Sequence, residues 1–373
     1  EDADLRNILD LTTIEEHNAF FFRLSEVTQS AYIATRVERV SKFTFVLSRF
    51  HTGNIMHAIH DDLLGLYQLF KEFADENPEA SSKYSSFSRD NFVLFFDPHD
   101  EGGYGHVFKY LTDNPLQFRA NLDKTNNVYW FPDCVVGNSK LLNWYQYGFI
   151  IPQGPIAGKT VNGFFIREVA DYISHRLEYP EWDIEGWQTI LKFFLKNAFN
   201  TATVPSSESD SLPLLSEKYN IVIFSRRHDR LIVNEDELAV QLKKRFRLPV
   251  LFVRNEDLSF AEQVKILRNT VVAIGMHGSL LIMGMFMQPG SLLIEMYPYA
   301  VPCENYTPYK TLCGLEGMNI SYRAWSNKHS QNNTSFPDRI PHYGGIAHLP
   351  EEEQHKIVST DTVPTHLCCT NPY

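Results

Sequence analysis

Apolar and polar positions follow a regular order along the carboxy-terminal half of the chain. Short apolar runs predict buried strands, at residues 219–224, 249–254, 271–275 and 291–296. Amphipathic stretches between them predict helices, at residues 234–246 and 259–268, the second opened by a serine cap. This alternation is typical of a doubly wound α/β domain, whose ligands bind at the carboxyl ends of the parallel strands.

A glycine turn follows the third of these strands. Residues 275–278 read Gly-Met-His-Gly, and an apolar helix led by Ser279 comes next. The backbone N–H groups of Gly278 and Ser279 suit a phosphate, because a helix dipole favours negative charge at its start. Glu295, near the end of the next strand, is placed to accept a hydrogen bond from a sugar hydroxyl. The alternative is that the glycines only permit a tight turn and that His277 is a satisfied core histidine.

An arginine-rich loop follows the first strand of the same predicted sheet. Residues 225–230 read Ser-Arg-Arg-His-Asp-Arg. Arginine binds phosphate bidentately, so Arg226 and Arg230 are candidate diphosphate ligands at the sheet edge that also carries the glycine turn. The alternative is surface pairing of these arginines with nearby acids, at Asp229, Glu235 and Asp236.

The amino-terminal half shows a looser pattern. Apolar runs predict strands, at residues 32–35, 43–47, 91–97 and 128–137, and two helices are predicted, at residues 163–177 and 187–197. Residues 201–217 are rich in serine and proline without apolar periodicity, which is typical of a linker. The predicted organisation is therefore two lobes, 1–200 and 218–340, joined by this linker, with a tail at 341–373 packing back on them.

One amino-terminal helix carries an unusual polar face. Asn54, His57 and Asp61 share that face at helical spacing, and His60 flanks it. A histidine beside a carboxylate is a common general base, because the acid orients the ring and raises its proton affinity. The alternatives are a solvent-exposed helix end, a polar network that fixes packing, or a metal site formed by His57, Asp61 and a distant third ligand.

Composition and charge exclude some classes of protein. A chain of 373 residues exceeds what one core usually supports, and its net charge of -11 argues against nucleic-acid binding. No apolar run is long enough to span a membrane, and Glu1 begins without a signal peptide, so we expect a cytosolic protein or the excised soluble part of a larger one. Late cysteines and glycosylation sequons favour a secretory lumen and one or two disulfides; the sequons are Asn305, Asn319, Asn332 and Asn333.

Several motifs together resemble glycosyltransferase family 61. They read FSRxxxRLIxNExEL from residue 224, GMHGxxL from 275, GSLLIEMYPYA from 290 and NxMHxxHDDL from 54. Further matches extend the resemblance over nearly the whole chain, at residues 144–155, 299–312, 344–349 and 363–372. The resemblance implies an α/β protein of GT-B type, in which two Rossmann-like lobes, one for acceptor and base and one for nucleotide-sugar, face a cleft. It also implies an inverting mechanism with UDP-N-acetylglucosamine as donor.

The resemblance assigns roles to residues of this chain. Arg226 and Arg230 would hold the diphosphate, His277, Gly278 and Ser279 would form the turn beneath it, and Glu295 would lie near the nucleoside or sugar. The positions of Arg49, Asn54, His57 and Asp61 match the lobe that holds the base, which would be Asp61 or His60 supported by it. No DxD motif ends a strand, which weakens a requirement for a divalent metal, and no other cofactor is implied.

The resemblance also implies partners and a location. The acceptor would be an O-linked mannose on a protein such as α-dystroglycan, extended in β-1,4 linkage in the lumen of the endoplasmic reticulum, with a homodimer possible. Family members have a membrane anchor and the most similar ones a fibronectin type III module, neither of which is expected here. Cys303, which departs from the family pattern, could pair with Cys313. The alternatives are a family member that modifies EGF domains and an inactive luminal sugar-binding or scaffold protein.

Overall fold

The computed structural model describes ten stretches of the chain. They are residues 8–10, 21–23, 36–74, 87–125, 127–146, 153–180, 182–199, 218–228, 230–338 and 345–359. The predicted strand at 32–35 and the predicted linker at 201–217 lie outside them. In the part of the chain that is described, no helix is both long and apolar enough to cross a membrane. The structure divides into two compact units, and the domain boundaries drawn from the sequence stay a prediction.

The first unit, Glu1–Asn143 with Asp171–Arg176, is built on a four-stranded parallel sheet in the order β6-β5-β4-β8. Its strands are β1 (Ile8–Asp10), β2 (Phe21–Arg23), β3 (Arg36–Arg39), β4 (Thr44–Leu47), β5 (Phe92–Phe95), β6 (Gln117–Phe118), β7 (Asn127–Trp130) and β8 (Cys134–Val136). Its helices include a π-helix (His57–Leu63), α1 (Leu64–Phe73), a 3-10 helix (Gly105–Tyr110) and α2 (Arg119–Leu122). The central strand β4 is buried at all four positions, which explains its continuous apolar sequence.

The predicted strands at 43–47 and 91–97 are confirmed as β4 and β5. The single strand predicted at 128–137 is wrong, because the segment forms β7 and β8, which belong to different sheets. Pro132 lies between them and has no N–H to give to a ladder, so it breaks the apolar run.

The second unit, Trp144–Ala170 with Leu177–Tyr373, contains a five-stranded parallel sheet in the order β12-β11-β13-β14-β15. Its strands are β9 (Tyr145–Gln146), β10 (Gly154–Pro155), β11 (Asn220–Phe224), β12 (Val250–Val253), β13 (Thr270–Met276), β14 (Leu292–Tyr297) and β15 (Ser321–Ser326). Its helices include α4 (Ile184–Phe199), α5 (Glu235–Phe246), α6 (Phe260–Leu267), 3-10 helices (Ser279–Phe286 and Ser330–Asn332), α7 (Pro308–Gly314) and α8 (Glu351–Val358). Helix α3 (Gly163–Arg176) contributes residues to both units.

The α/β alternation predicted for this half of the chain is confirmed. Helix α6 begins with a capping box, in which the Ser259 hydroxyl accepts from the Glu262 N–H and the Glu262 carboxylate accepts from the Ser259 N–H. Helix α4 packs Trp187, Ile190 and Phe194 into the same core as strands β11 and β13. This parallel sheet therefore rests on a continuous apolar core, and its carboxyl edge carries the loops of interest.

The segment after the glycine turn differs from its predicted form. Strand β13 continues through Gly275 to Met276, and residues 279–286 form a 3-10 helix with seven buried positions. Because this segment is apolar on all sides and buried, it has no amphipathic face to select an α-helix. A Cβ on Gly275 would lie 2.9 Å from both Leu281 Cδ2 and Phe224 Cβ, so close packing against the neighbouring strand accounts for that glycine.

The cysteine prediction also needs correction. Cys134, Cys303 and Cys313 are free thiols, so the expected pairing of Cys303 with Cys313 is wrong. Cys313 is buried within α7, whereas the Cys303 thiol lies in the preceding loop and donates to the Glu304 carboxylate. Cys368 and Cys369 lie outside the described residues.

Candidate functional site

The predicted histidine and acid cluster forms a buried triad on the π-helix of the first unit. His57 Nδ1 and His60 Nδ1 each lie 2.5 Å from one oxygen of Asp61, so the carboxylate bridges two imidazoles. His60 is 0% exposed and Asp61 1%, whereas His57 is 7% exposed and contacts the rings of Phe50 and His51. π-Helical turns are rare and are often found at functional sites.

The ionisation state of Asp61 determines which atoms of the triad donate hydrogen bonds. Burial raises the pKa of Asp61, but the charge of His57 and the hydrogen bonds from both imidazoles outweigh it and lower the pKa to about 2. An ionised carboxylate only accepts, so both histidines donate from Nδ1. In its neutral form, His57 therefore has its lone pair on Nε2, which is the nitrogen that can accept a proton from a substrate hydroxyl.

Two asparagines support the triad and were not predicted from the sequence. Asn138 Nδ2 donates to the carbonyls of Asp61 and Asp62, and Asn143 Nδ2 donates to the carbonyl of His60. Both asparagines follow β8 and are far from the π-helix in sequence, so helical spacing could not have predicted their contacts with it. Asn54 accepts from the N–H of Met56 and thus helps to begin the helix.

Arg49 lies inside the first unit and organises a loop. It is 1% exposed and makes a bidentate ion pair with Asp97, which is itself 0% exposed. It also donates to the carbonyls of Asp100 and Glu101, and its guanidinium lies 4.3 Å from the Phe95 ring centroid. These contacts favour a structural role for Arg49. Asp97 is the last residue of the predicted strand at 91–97. An acid at the end of a strand was therefore the sequence feature that could have identified Asp97.

Asp62 is a second buried acid that the sequence-based assignment missed. It is 2% exposed, and its Oδ2 has no hydrogen-bond partner among the described residues. Burial, and then the charge of Asp61, raise the pKa of Asp62 well above its ordinary value, more than Arg49 lowers it. These surroundings therefore favour the protonated form of Asp62 beside the ionised Asp61.

The arginine loop and the glycine turn meet in the second unit. A Cβ added to Gly278 would lie 2.9 Å from Arg226 Nη1 and 3.2 Å from Arg230 Nη1. Arg230 Nη1 also donates to the His277 carbonyl at 2.7 Å. Two guanidinium groups thus approach the Gly278 backbone where a Cβ would lie, and this part of the sheet edge concentrates positive charge. Ser279, half-buried, begins the 3-10 helix next to them.

The acids beside this loop have other described partners. Glu235 accepts from Arg254 and from the Ser225 hydroxyl, and Arg227 pairs with Asp257. Asp229 lies outside the described residues. Arg227 thus pairs with an acid other than those expected from the sequence, and the guanidinium groups of Arg226 and Arg230 lie against the glycine turn.

His277 and Glu295 form a histidine–carboxylate pair in the second unit. His277 Nδ1 lies 2.6 Å from Glu295 Oε1, and the Tyr322 hydroxyl donates to Glu295 Oε2 at 2.6 Å. The His277 ring stacks on Tyr297, with centroids 5.0 Å apart. Burial, followed by the charge of Glu295, raises the pKa values of Tyr297 and Tyr322, so both phenols remain protonated. Glu295 is 0% exposed and contacts His277 directly. This contact agrees with the alternative that His277 is a core histidine whose hydrogen bonds are satisfied.

The described residues contain no cluster of three or more histidine, cysteine, aspartate or glutamate side chains suited to a metal ion. The described residues therefore supply no third ligand for a metal site at His57 and Asp61. The structure instead groups the predicted residues into two sets: the imidazole and carboxylate triad in the first unit, and the arginines with the glycine turn in the second.

The sequence of the chain is similar to sequences of known proteins. The family model described as Glycosyltransferase 61 matches residues 55–294. Protein O-linked-mannose beta-1,4-N-acetylglucosaminyltransferase 2 of Tetraodon nigroviridis is 34% identical over 366 residues, which cover 98% of this chain and 56% of that protein. The proteins of the same name from Mus musculus and Xenopus tropicalis are 34% and 33% identical, with the same coverage. The chain spans about half the length of these curated relatives. With its family model covering more than half of the chain and these identities, the chain belongs to glycosyltransferase family 61.

Proposed function

We propose that this protein is an inverting glycosyltransferase. It transfers N-acetylglucosamine from UDP-N-acetylglucosamine, in β-1,4 linkage, to an O-linked mannose on a protein acceptor of the α-dystroglycan type. The observation that carries this proposal is the convergence of Arg226 and Arg230 on Gly278 at the carboxyl edge of a parallel sheet, in a member of a glycosyltransferase family. The names of the relatives favour the O-mannose acceptor over the EGF-domain alternative.

The donor site is proposed at the edge of the second sheet. A diphosphate carries at least two negative charges, and two guanidinium groups beside a glycine turn match its charge and its oxygen geometry. The carboxyl ends of parallel strands β11 and β13 bring Arg226 and Gly278 together, because the loops after both strands leave from the same edge. His277 and Ser279 complete this edge.

The base is proposed in the first unit. His57 Nε2 accepts the proton of the mannose hydroxyl as its oxygen attacks the anomeric carbon, and the bond from that carbon to the diphosphate breaks with inversion. Asp61 keeps His57 in the required tautomer and stabilises the imidazolium that forms, as its pKa of about 2 and its hydrogen bond to Nδ1 allow. Because Asp61 is so weak a base and His60 is fully buried, His57 is the preferred candidate of the three.

Architecture and location complete the proposal. A GT-B arrangement, with two Rossmann-like lobes facing a cleft, is supported by the presence of a parallel sheet in each unit and by family membership. A location in the lumen of the endoplasmic reticulum is supported by the exposed sequon residues Asn319 and Asn332. A possible homodimer remains part of the same hypothesis.

The test is a matrix of donors and acceptors. The protein is incubated with UDP-N-acetylglucosamine and other UDP-sugars, each with an O-mannosylated peptide, an unmodified peptide and a folded EGF domain. The proposal expects transfer from UDP-N-acetylglucosamine to the mannosylated peptide alone, with a β-1,4 linkage by NMR. Transfer to the EGF domain would identify the alternative acceptor, and donor binding without transfer to any acceptor would favour a sugar-binding protein.

A further inference from the structure

Both carboxylate oxygens of Glu295 have partners inside the protein. Oε1 bonds with His277 Nδ1 and Oε2 accepts from the Tyr322 hydroxyl, both at 2.6 Å, and the residue is 0% exposed. A carboxylate so deeply buried and bonded at both oxygens does not contact a bound ligand. Its influence on the site must therefore pass through His277.

The burial of Glu295 also bears on the state of His277. A buried carboxylate without a compensating charge is unfavourable, so such groups are paired. Among the described residues, its hydrogen-bond partners are His277 and Tyr322, and of these only the imidazole can become a cation. His277 is therefore the partner through which a positive charge can lie between Glu295 and a second anion.

The surroundings of His277 fix the orientation of its ring. Tyr297 stacks on one side at 5.0 Å, while the rings of Tyr306 and Tyr309 lie at 5.9 Å and 6.4 Å. Nδ1 is committed to Glu295, and Nε2 has no hydrogen-bond partner among the described residues. The side chain is 16% exposed and stands next to Gly278, where Arg226 and Arg230 converge.

We propose that Glu295, supported by Tyr322, is a positioning residue that holds His277 as a protonated ring whose Nε2–H donates to the diphosphate of the bound nucleotide. This inference rests on the proposed donor site. His277 then supplies a third positive charge beside the two arginines, where negative charge develops on the departing diphosphate. It departs from the sequence-based expectation that Glu295 itself binds sugar or nucleoside.

The test compares the dissociation constants of UDP and uridine by calorimetry for wild type, His277→Gln, Glu295→Gln and the double variant. Losing a charge-assisted hydrogen bond should weaken UDP binding roughly tenfold or more in each single variant, while the affinity for uridine stays within about twofold. The double variant should bind UDP no more weakly than His277→Gln, because both changes remove the same contact. Tyr322→Phe should show a smaller loss, and Tyr179→Phe, which removes a hydroxyl bonded to the Ala261 carbonyl, should show none.

The outcomes separate this inference from the proposed function. If wild type binds UDP and Glu295→Gln binds it equally well, or if the two single effects multiply in the double variant, the positioning role is wrong. Equal losses for uridine and UDP would also overturn it, since they would indicate a general disturbance. If wild type binds no UDP at all, the donor site itself is wrong. Nitrogen NMR of the histidine-labelled wild type gives a check that needs no variant to fold: a doubly protonated His277 in the UDP complex is expected, and a neutral ring contradicts the inference.

Discussion

The imidazole of His57 donates to the carboxylate of Asp61 across one helical turn, at 2.5 Å, in a site where the acid is almost fully buried. This pair is the strongest candidate for a general base in the first unit. His57 is the more exposed of the two histidines that Asp61 orients, so it is the one that can meet an acceptor hydroxyl.

Arg49 should matter for stability. Replacing Arg49 with Met leaves Asp97 buried without its ion pair, which should lower the free energy of unfolding by about 3–5 kcal/mol in urea denaturation. The matched control is Arg36→Met, since Arg36 pairs with Glu38 on the surface and should cost about 0.5 kcal/mol or less. Equal stability of the two variants, together with a loss of UDP binding in Arg49→Met, would assign Arg49 to the substrate instead.

Gly278 should matter for the donor. The Cβ of Gly278→Ala would press on Arg226 Nη1 and Arg230 Nη1, displacing both guanidinium groups. The backbone of Gly278 is extended, with φ of 162°, so alanine is tolerated by the chain itself. We expect UDP affinity to fall roughly tenfold with little change in melting temperature. Gly314→Ala is the control, because its Cβ would meet nothing within 4 Å; equal UDP affinity of both variants would remove the arginines from the donor site.

Asp62 should make the first unit less stable as pH rises above the ordinary pKa of an aspartate. Its pKa in the folded protein lies above the ordinary value of 3.8, so the folded state keeps a proton that the unfolded chain has lost. The contribution of Asp62 to the free energy of unfolding therefore decreases as pH rises from about 4 through its raised pKa. Asp62→Asn cannot titrate, so its stability relative to wild type should increase over that range. Parallel pH profiles of the two proteins in urea would contradict the neutral state of Asp62.

The local sequence pattern predicted those parts of the molecule whose structure depends on residues that are close in sequence. The four-residue spacing of His57 and Asp61 is enough to place them on one face, and the apolar runs of β11 and β13 are enough to define buried strands. The edge strand β15 was missed because its residues are largely exposed and polar, so no apolar run marks it.

Partners that are distant in sequence could not be predicted in this way. Asp97 lies 48 residues from Arg49, and Tyr322 reaches Glu295 only because β15 pairs in parallel with β14. For the same reason the role expected for Glu295 came from its place at a strand end, whereas its partners His277 and Tyr322 lie in the turn after β13 and in β15. The π-helix was missed because its apolar spacing is that of an α-helix over so few residues, and the 3-10 helix at Ser279–Phe286 because a uniformly apolar run does not distinguish the two helix types.

The most direct measurement is the rate of N-acetylglucosamine transfer to an O-mannosylated peptide by wild type and His57→Ala, at saturating UDP-N-acetylglucosamine, with UDP affinity measured on both proteins. The account predicts transfer by wild type, a loss of about 10²–10⁴-fold in turnover for His57→Ala, and the same UDP affinity in both. Turnover of His57→Ala close to that of wild type would show that His57 is not the base, and an absence of transfer by a wild type that binds UDP would contradict the proposed reaction.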